Sequence, residues 1–65
     1  MPATFDRELR RILLRAGCYF VRAGKGSHEI WYSPITKRRF PVPIGMVSRH
    51  TANAVLAQAG LPKAF

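Results

Sequence analysis

Between Arg22 and Tyr32 the chain reads RAGKGSHEIWY. The imidazole of His28 follows Lys25 by three residues, and Arg22 lies on the far side of the two glycines, Gly24 and Gly26. These parts suffice for one chemistry on RNA. A neutral imidazole can take the proton from a ribose 2′-OH, or an imidazolium can give one to a leaving 5′-oxygen. Lys25 and Arg22 could stabilise charge building on the phosphate, and glycines without side chains would let another backbone come close. The same residues also fit a plainer description, in which His28 is a strand-edge histidine with a satisfied hydrogen bond.

Other site chemistries find no support in the spacing. Asp6, Glu8 and Glu29 are scattered, so no carboxylate pair is offered for acid–base work. His28 and His50 fall on different elements, and with one cysteine, Cys18, no His-Cys-Asp cluster suggests a metal. GKGS is a fragment of the phosphate-binding P-loop with the wrong spacing. Ser27 abuts His28 but lacks an evident Ser-His-Asp set. Trp31 and Tyr32 could stack on bases, though aromatics on a strand also serve as core or sheet cover. His50 reads as part of a helix start or a surface residue, and Cys18 as small apolar filler.

The site must be carried by a small scaffold. With 65 residues the chain is read as one domain over residues 1–65. A chain of that size buries only roughly 60% of the surface it exposes when unfolded, so a bound partner would add to its stability. Eleven Lys and Arg against three acids give a net charge of +8. This calls for an acidic partner, nucleic acid being the usual one; a solvated basic surface or a protein partner with an acidic face are the alternatives. The start, MPATFDRELRR, is charged too early for a signal peptide, and no apolar run nears the ~20 residues of a membrane helix. A cytoplasmic protein with no membrane association is expected.

Periodicity gives five elements. TFDRELRRILLRAG reads as a helix, with Phe5, Leu9, Ile12, Leu13 and Ala16 on one face. Thr4 is its expected cap, Asp6 and Glu8 sit near its positive end, and Gly17 stops it. Arg7, Arg11 and Arg15 fall on the opposite face with Arg10 beside them, as a solvated face or as a rail for phosphates. CYFVRA (18–23) reads as a strand, GKG as a turn and SHEIWYS as a second strand. Alternation places His28, Ile30 and Tyr32 on one face and Glu29 and Trp31 on the other. After SPITK, RRFPVP (38–43) reads as a third strand that Pro41 and Pro43 confine to an edge. SRHTANAVLAQAGLP reads as a second helix capped by Ser48, with Val47, Val55, Leu56 and Ala59 as its stripe and Gly60 and Pro62 as its end. The tail KAF is expected to add a short turn that tucks Phe65 under the domain. The α-β-β-β-α order implies an α+β fold, a three-stranded antiparallel sheet with two helices on one face, the architecture of the double-stranded-RNA-binding domain.

A short Leu-rich first helix ending in AG, a strand carrying Arg22, GKGSHEIWYS, a strand ending in VP and a helix ending in LAQAGL together resemble the HicA toxin family of bacterial type II toxin–antitoxin systems. Gly-Ser-His followed by apolar or aromatic residues is the family's hallmark, and the likeness runs through almost the whole chain. It implies the double-stranded-RNA-binding fold. It further implies an mRNA interferase, an endoribonuclease independent of metal and cofactor that cuts mRNA in the bacterial cytoplasm. His28 would be its catalytic residue, with Lys25, Arg22, Gly26 and Ser27 as RNA-binding or motif residues. A HicB-like antitoxin would cover the site, and operator DNA would be reached only through that antitoxin. The alternative is a non-catalytic RNA-binding module of the same fold. Many family members carry a second histidine just after VP, as in VPxH. Here Ile44 and Gly45 follow Pro43, so no role carries over from it.

Overall fold

The computed structural model describes residues 4–65; residues 1–3 of the expected domain lie outside the described residues. The elements follow in the expected order, α1 (Asp6–Arg15), β1 (Tyr19–Ala23), β2 (His28–Ser33), β3 (Arg38–Pro43) and α2 (Arg49–Gln58). The strands form one antiparallel sheet in the order β1-β2-β3, so β2 is central. Cys18 stands just outside β1, buried, as filler beneath the first helix's end.

Alternation along the strands decides where the helices sit. Trp31 and Ser33 of β2 and Phe40 and Val42 of β3 are buried, and Trp31, Phe40 and Val42 join Leu9 and Leu13 of α1 and Ala52, Val55 and Leu56 of α2 in one core. Both helices therefore cover this inner face. Phe5, Ile12 and Ala16 pack against the same core, so the stripe expected for α1 is the one it buries. The stripe of α2 differs from expectation. Val47 precedes the helix and is 69% exposed, while Ala52 completes the i, i+3, i+4, i+7 row with Val55, Leu56 and Ala59. Met46 fills the core where Val47 was expected to.

The helix starts also depart from expectation. Phe5, not Thr4, is the N-cap of α1, and neither Phe5 nor Ser48, at the start of α2, makes a side-chain cap bond. Asp6 reaches across the fold instead. Its carboxylate accepts the backbone N–H groups of Gly45 at 2.6 Å and Met46 at 2.8 Å, and the Phe5 N–H donates to the Met46 carbonyl at 2.9 Å. The connector after β3 is thus tied to the front of α1. Both helices end alike. Cys18 and Gly17 donate to the Leu13 and Leu14 carbonyls, and Leu61 and Gly60 to those of Leu56 and Ala57, the paired bonds of a Schellman closure.

Ser33, fully buried, joins the sheet to α2. Its hydroxyl donates to the Ala59 carbonyl at 2.7 Å and accepts the N–H groups of Ile35 and Thr36 in the β2–β3 turn. The C-terminal tail makes no turn. Asn53 holds it by bonds to Ala64 and Phe65, and the Phe65 ring meets Phe5 edge-on at 5.0 Å. Pro41 and Pro43 sit on the outer face of β3, opposite Ile30 and His28. Ile44 donates to Ser27 across the ladder. Since N–H directions alternate along a strand, the missing N–H groups of both prolines fall on the free edge, where they block further pairing.

Candidate functional site

His28 opens β2 on the sheet's outer face, away from both helices, and is exposed. Its Nδ1 lies 3.2 Å from the Lys25 carbonyl, which also accepts the His28 N–H at 3.3 Å. A carbonyl oxygen can only accept, so this contact assigns the hydrogen to Nδ1 and leaves Nε2 as the ring's free nitrogen. The turn before β2 thereby fixes both the backbone and the ring of one residue.

The glycines of that turn do different jobs. Gly26 has φ +61, with open space where a Cβ would stand, so its conformation is what favours glycine there. At Gly24 the need is space: a Cβ would stand 3.0 Å from the His28 carbonyl oxygen and 3.3 Å from Ile30 Cδ1. The close approach expected of Gly24 is therefore filled by the chain's own β2, whose His28 carbonyl accepts the Gly24 N–H at 2.8 Å. Ser27 is exposed, and its carbonyl accepts from Ile44, binding the turn to the segment after β3. Lys25 projects from the same turn, exposed.

Arg22 reaches the site through an irregularity. Tyr19 pairs with Tyr32 and Phe20 with Trp31, but Arg22 then pairs with Ile30 and Ala23 with Glu29, leaving Val21 in a β-bulge. Strict alternation from Phe20, which shares the inner face with Trp31, would turn Arg22 toward the helices. The extra residue turns it outward instead, onto the face of His28. It is exposed, and one guanidinium nitrogen donates to the Ala23 carbonyl at 3.2 Å.

The outer face is ordered in rungs. Tyr19, Tyr32 and Arg39 form one, Arg22, Ile30 and Pro41 the next, and His28 and Pro43 the third. Tyr19 and Arg39 were not singled out from the sequence. Their signal is register: each stands opposite Tyr32 on a neighbouring strand, which shows only once the strands are paired. All three acids lie elsewhere. Glu29 points inward, where Oε1 accepts from Trp31 Nε1 at 3.0 Å and pairs with Arg10 at 3.0 Å. Asp6 holds the connector, and Glu8 pairs with Arg11 on α1 at 3.7 Å. The outer face thus carries cations and no carboxylate.

Not every candidate joins the site. Trp31 is core. Arg10 pairs with Glu29, yet it still lines, with Arg7, Arg11 and Arg15, an open groove along α1 that includes Asp6. His50 is exposed on α2, on the helical side of the molecule. The position after the VP pair is Ile44, so the third rung has His28 as its one imidazole. Among the described residues, no three His, Cys, Asp or Glu side chains gather as a metal-binding group, and no helix is long and apolar enough to cross a membrane.

The turn, its histidine and the bulge all lie inside the segment that matches a known family. The model for the HicA toxin of bacterial toxin–antitoxin systems matches residues 7–61 of the 65-residue chain. No curated protein and no solved structure gave a significant match. With the match running from α1 to the closure of α2, the chain belongs to the HicA toxin family.

Proposed function

We propose that this protein is an endoribonuclease that cuts mRNA, with His28 as its general base, and that a HicB-like antitoxin neutralises it. The observation that carries this reading is the Nδ1 contact to the Lys25 carbonyl, which leaves Nε2 free on an exposed, cationic face. In the proposed step Nε2 takes the proton of a ribose 2′-OH. The 2′-oxygen bonds to the adjacent phosphorus, and the bond from phosphorus to the 5′-oxygen breaks. The leaving oxygen takes a proton from water, and the imidazolium later returns its own to solvent. The ends are a 2′,3′-cyclic phosphate and a 5′-hydroxyl. Lys25 and Arg22 hold the phosphate and offset the charge that builds on it. Gly26 and Ser27 shape the turn that aims the ring. One positioned base contributes typically 10²–10⁴-fold, which makes a modest nuclease suited to arresting growth by attrition of message. Operator DNA is contacted only through the antitoxin, which covers His28 and the cations beside it with acidic or bulky groups.

The test is cleavage of a defined mRNA in EDTA by wild type and His28→Ala side by side, with the product ends identified by mass spectrometry. Cutting by wild type alone, with cyclic phosphate ends, is the expected result. RNA bound but uncut by both would make the protein a non-catalytic RNA-binding module. Cutting that returns only with added metal would replace the cofactor-free mechanism.

A further inference from the structure

We propose that the outer face of the sheet is a stacking platform for single-stranded RNA, on which Tyr19 and Tyr32 receive an unpaired base and Arg22 and Arg39 hold the backbone on its way to His28. The proposal rests on the ribonuclease reading and adds the form of the substrate and the residues that select it. The two tyrosine rings lie side by side, centroids 5.4 Å apart and inclined by 36°, with Tyr19 53% exposed. Buried aromatics explain themselves by packing, and Trp31 on the inner face is one. This pair lies on the face no helix covers. Arg39 stands opposite Tyr32 on β3 and completes the rung with a cation next to the tyrosine pair's central-strand member, the combination of aromatic face and positive charge that single strands use.

Charge names the occupant. Arg22, Arg39 and the turn's Lys25 are on or beside this face, and each of the chain's three acids is engaged elsewhere. Geometry then separates single strand from duplex. In a duplex the bases are already stacked on one another, and their flat faces cannot reach a protein surface. A splayed strand can lay one base on the tyrosines and continue across Ile30 and Pro41. From the Tyr32 rung to His28 is four residues of strand, about 13 Å. The cut is therefore set a fixed, short distance from the stacked base.

The test uses His28→Ala protein, so that RNA stays whole, and a short single-stranded oligoribonucleotide carrying 2-aminopurine. Binding is expected to quench the fluorophore, and the same sequence in a duplex is expected to bind without quenching. Tyr19→Leu and Tyr32→Leu should each weaken single-strand binding about tenfold, and Tyr19→Phe and Tyr32→Phe should restore it. Thermal melting confirms that each variant is folded, and the quenching arm needs no tyrosine variant at all. Single-strand binding without quenching, or folded Leu variants that bind as before, would overturn the proposal. So would Leu variants that lose only the antitoxin, which would make the face a protein interface. Cleavage by tyrosine-intact wild type is read in parallel. Tyrosine-dependent quenching by a protein that never cuts RNA would keep the platform and remove the nuclease; cutting that depends on His28 but ignores both tyrosines would do the reverse.

Discussion

His28 and Glu29 are neighbours in the chain and opposites in the fold. Glu29 turns inward and is held by Trp31 and Arg10; His28 turns outward with one ring nitrogen held by the turn and the other free. The same division extends along β2. On the inner side Trp31 and Ser33 are core and latch. On the outer side Ile30 and Tyr32 face no helix. Glu29 and Ser33 on the inner face are spoken for by structure, and leaving either set of bonds unmade would cost roughly 1–3 kcal/mol. Polar groups on the outer face keep their capacity to meet a ligand. One sheet can thus be a foundation on one side and a working surface on the other.

That contrast can be broken most forcefully from the inner side. Trp31→Ala should cost about 3–5 kcal/mol. A domain this small has about that much stability in all, so circular dichroism should report a largely unfolded chain. His28→Ala should lower the cleavage rate by 10²–10⁴-fold while the melting temperature stays where it was; a large drop in melting temperature would mean that the outer face also bears structural load. Glu29→Ala should cost about 1–3 kcal/mol, seen as a lower urea midpoint, with RNA affinity kept under conditions where the protein is folded. Asp6→Ala, which leaves the Gly45 and Met46 N–H groups without their acceptor, should cost about 1–2 kcal/mol. It tests whether the connector behind His28 is held from α1. The smallest expected effect is on the outer face: Arg22→Ala should weaken RNA binding alike across sequences and reduce the salt slope by about one unit, measured by titration at several ionic strengths.

Much of this division is written in local pattern. The alternation of HEIWYS is enough to separate His28 from Glu29, because side chains on a strand have a period of two whatever surrounds them. The helix ends at Gly17 and Gly60 are also local, since each closure spans six residues. What the sequence hides is what only docking creates. Asp6 meets Gly45 and Met46 across about forty residues of chain, and Ser33 meets Ala59 across 26. Neither partner announces the other. Arg10 looks like its basic neighbours on α1 and differs only because Glu29 lies beneath it. Val47 has the right residue type for the stripe of α2 but precedes the first turn, so Met46 fills the core in its stead and small Ala52 completes the helix's buried row. The turn that holds His28 was legible as a glycine turn; the carbonyl of Lys25 as the group that sets the ring was not, since residue types say nothing of where a backbone oxygen points.

The bulge at Val21 uncouples residue count from side-chain direction. A half-buried valine there accepts other β-branched side chains at little cost, so a substitution scan would score the position as tolerant. Its deletion would remove the one unpaired residue and let the ladder run in strict alternation from Phe20, with Arg22 still opposite Ile30 on the face of His28. The first strand should therefore tolerate a change of length by one residue at this point as readily as a change of letter, since neither moves Arg22 off the face of His28.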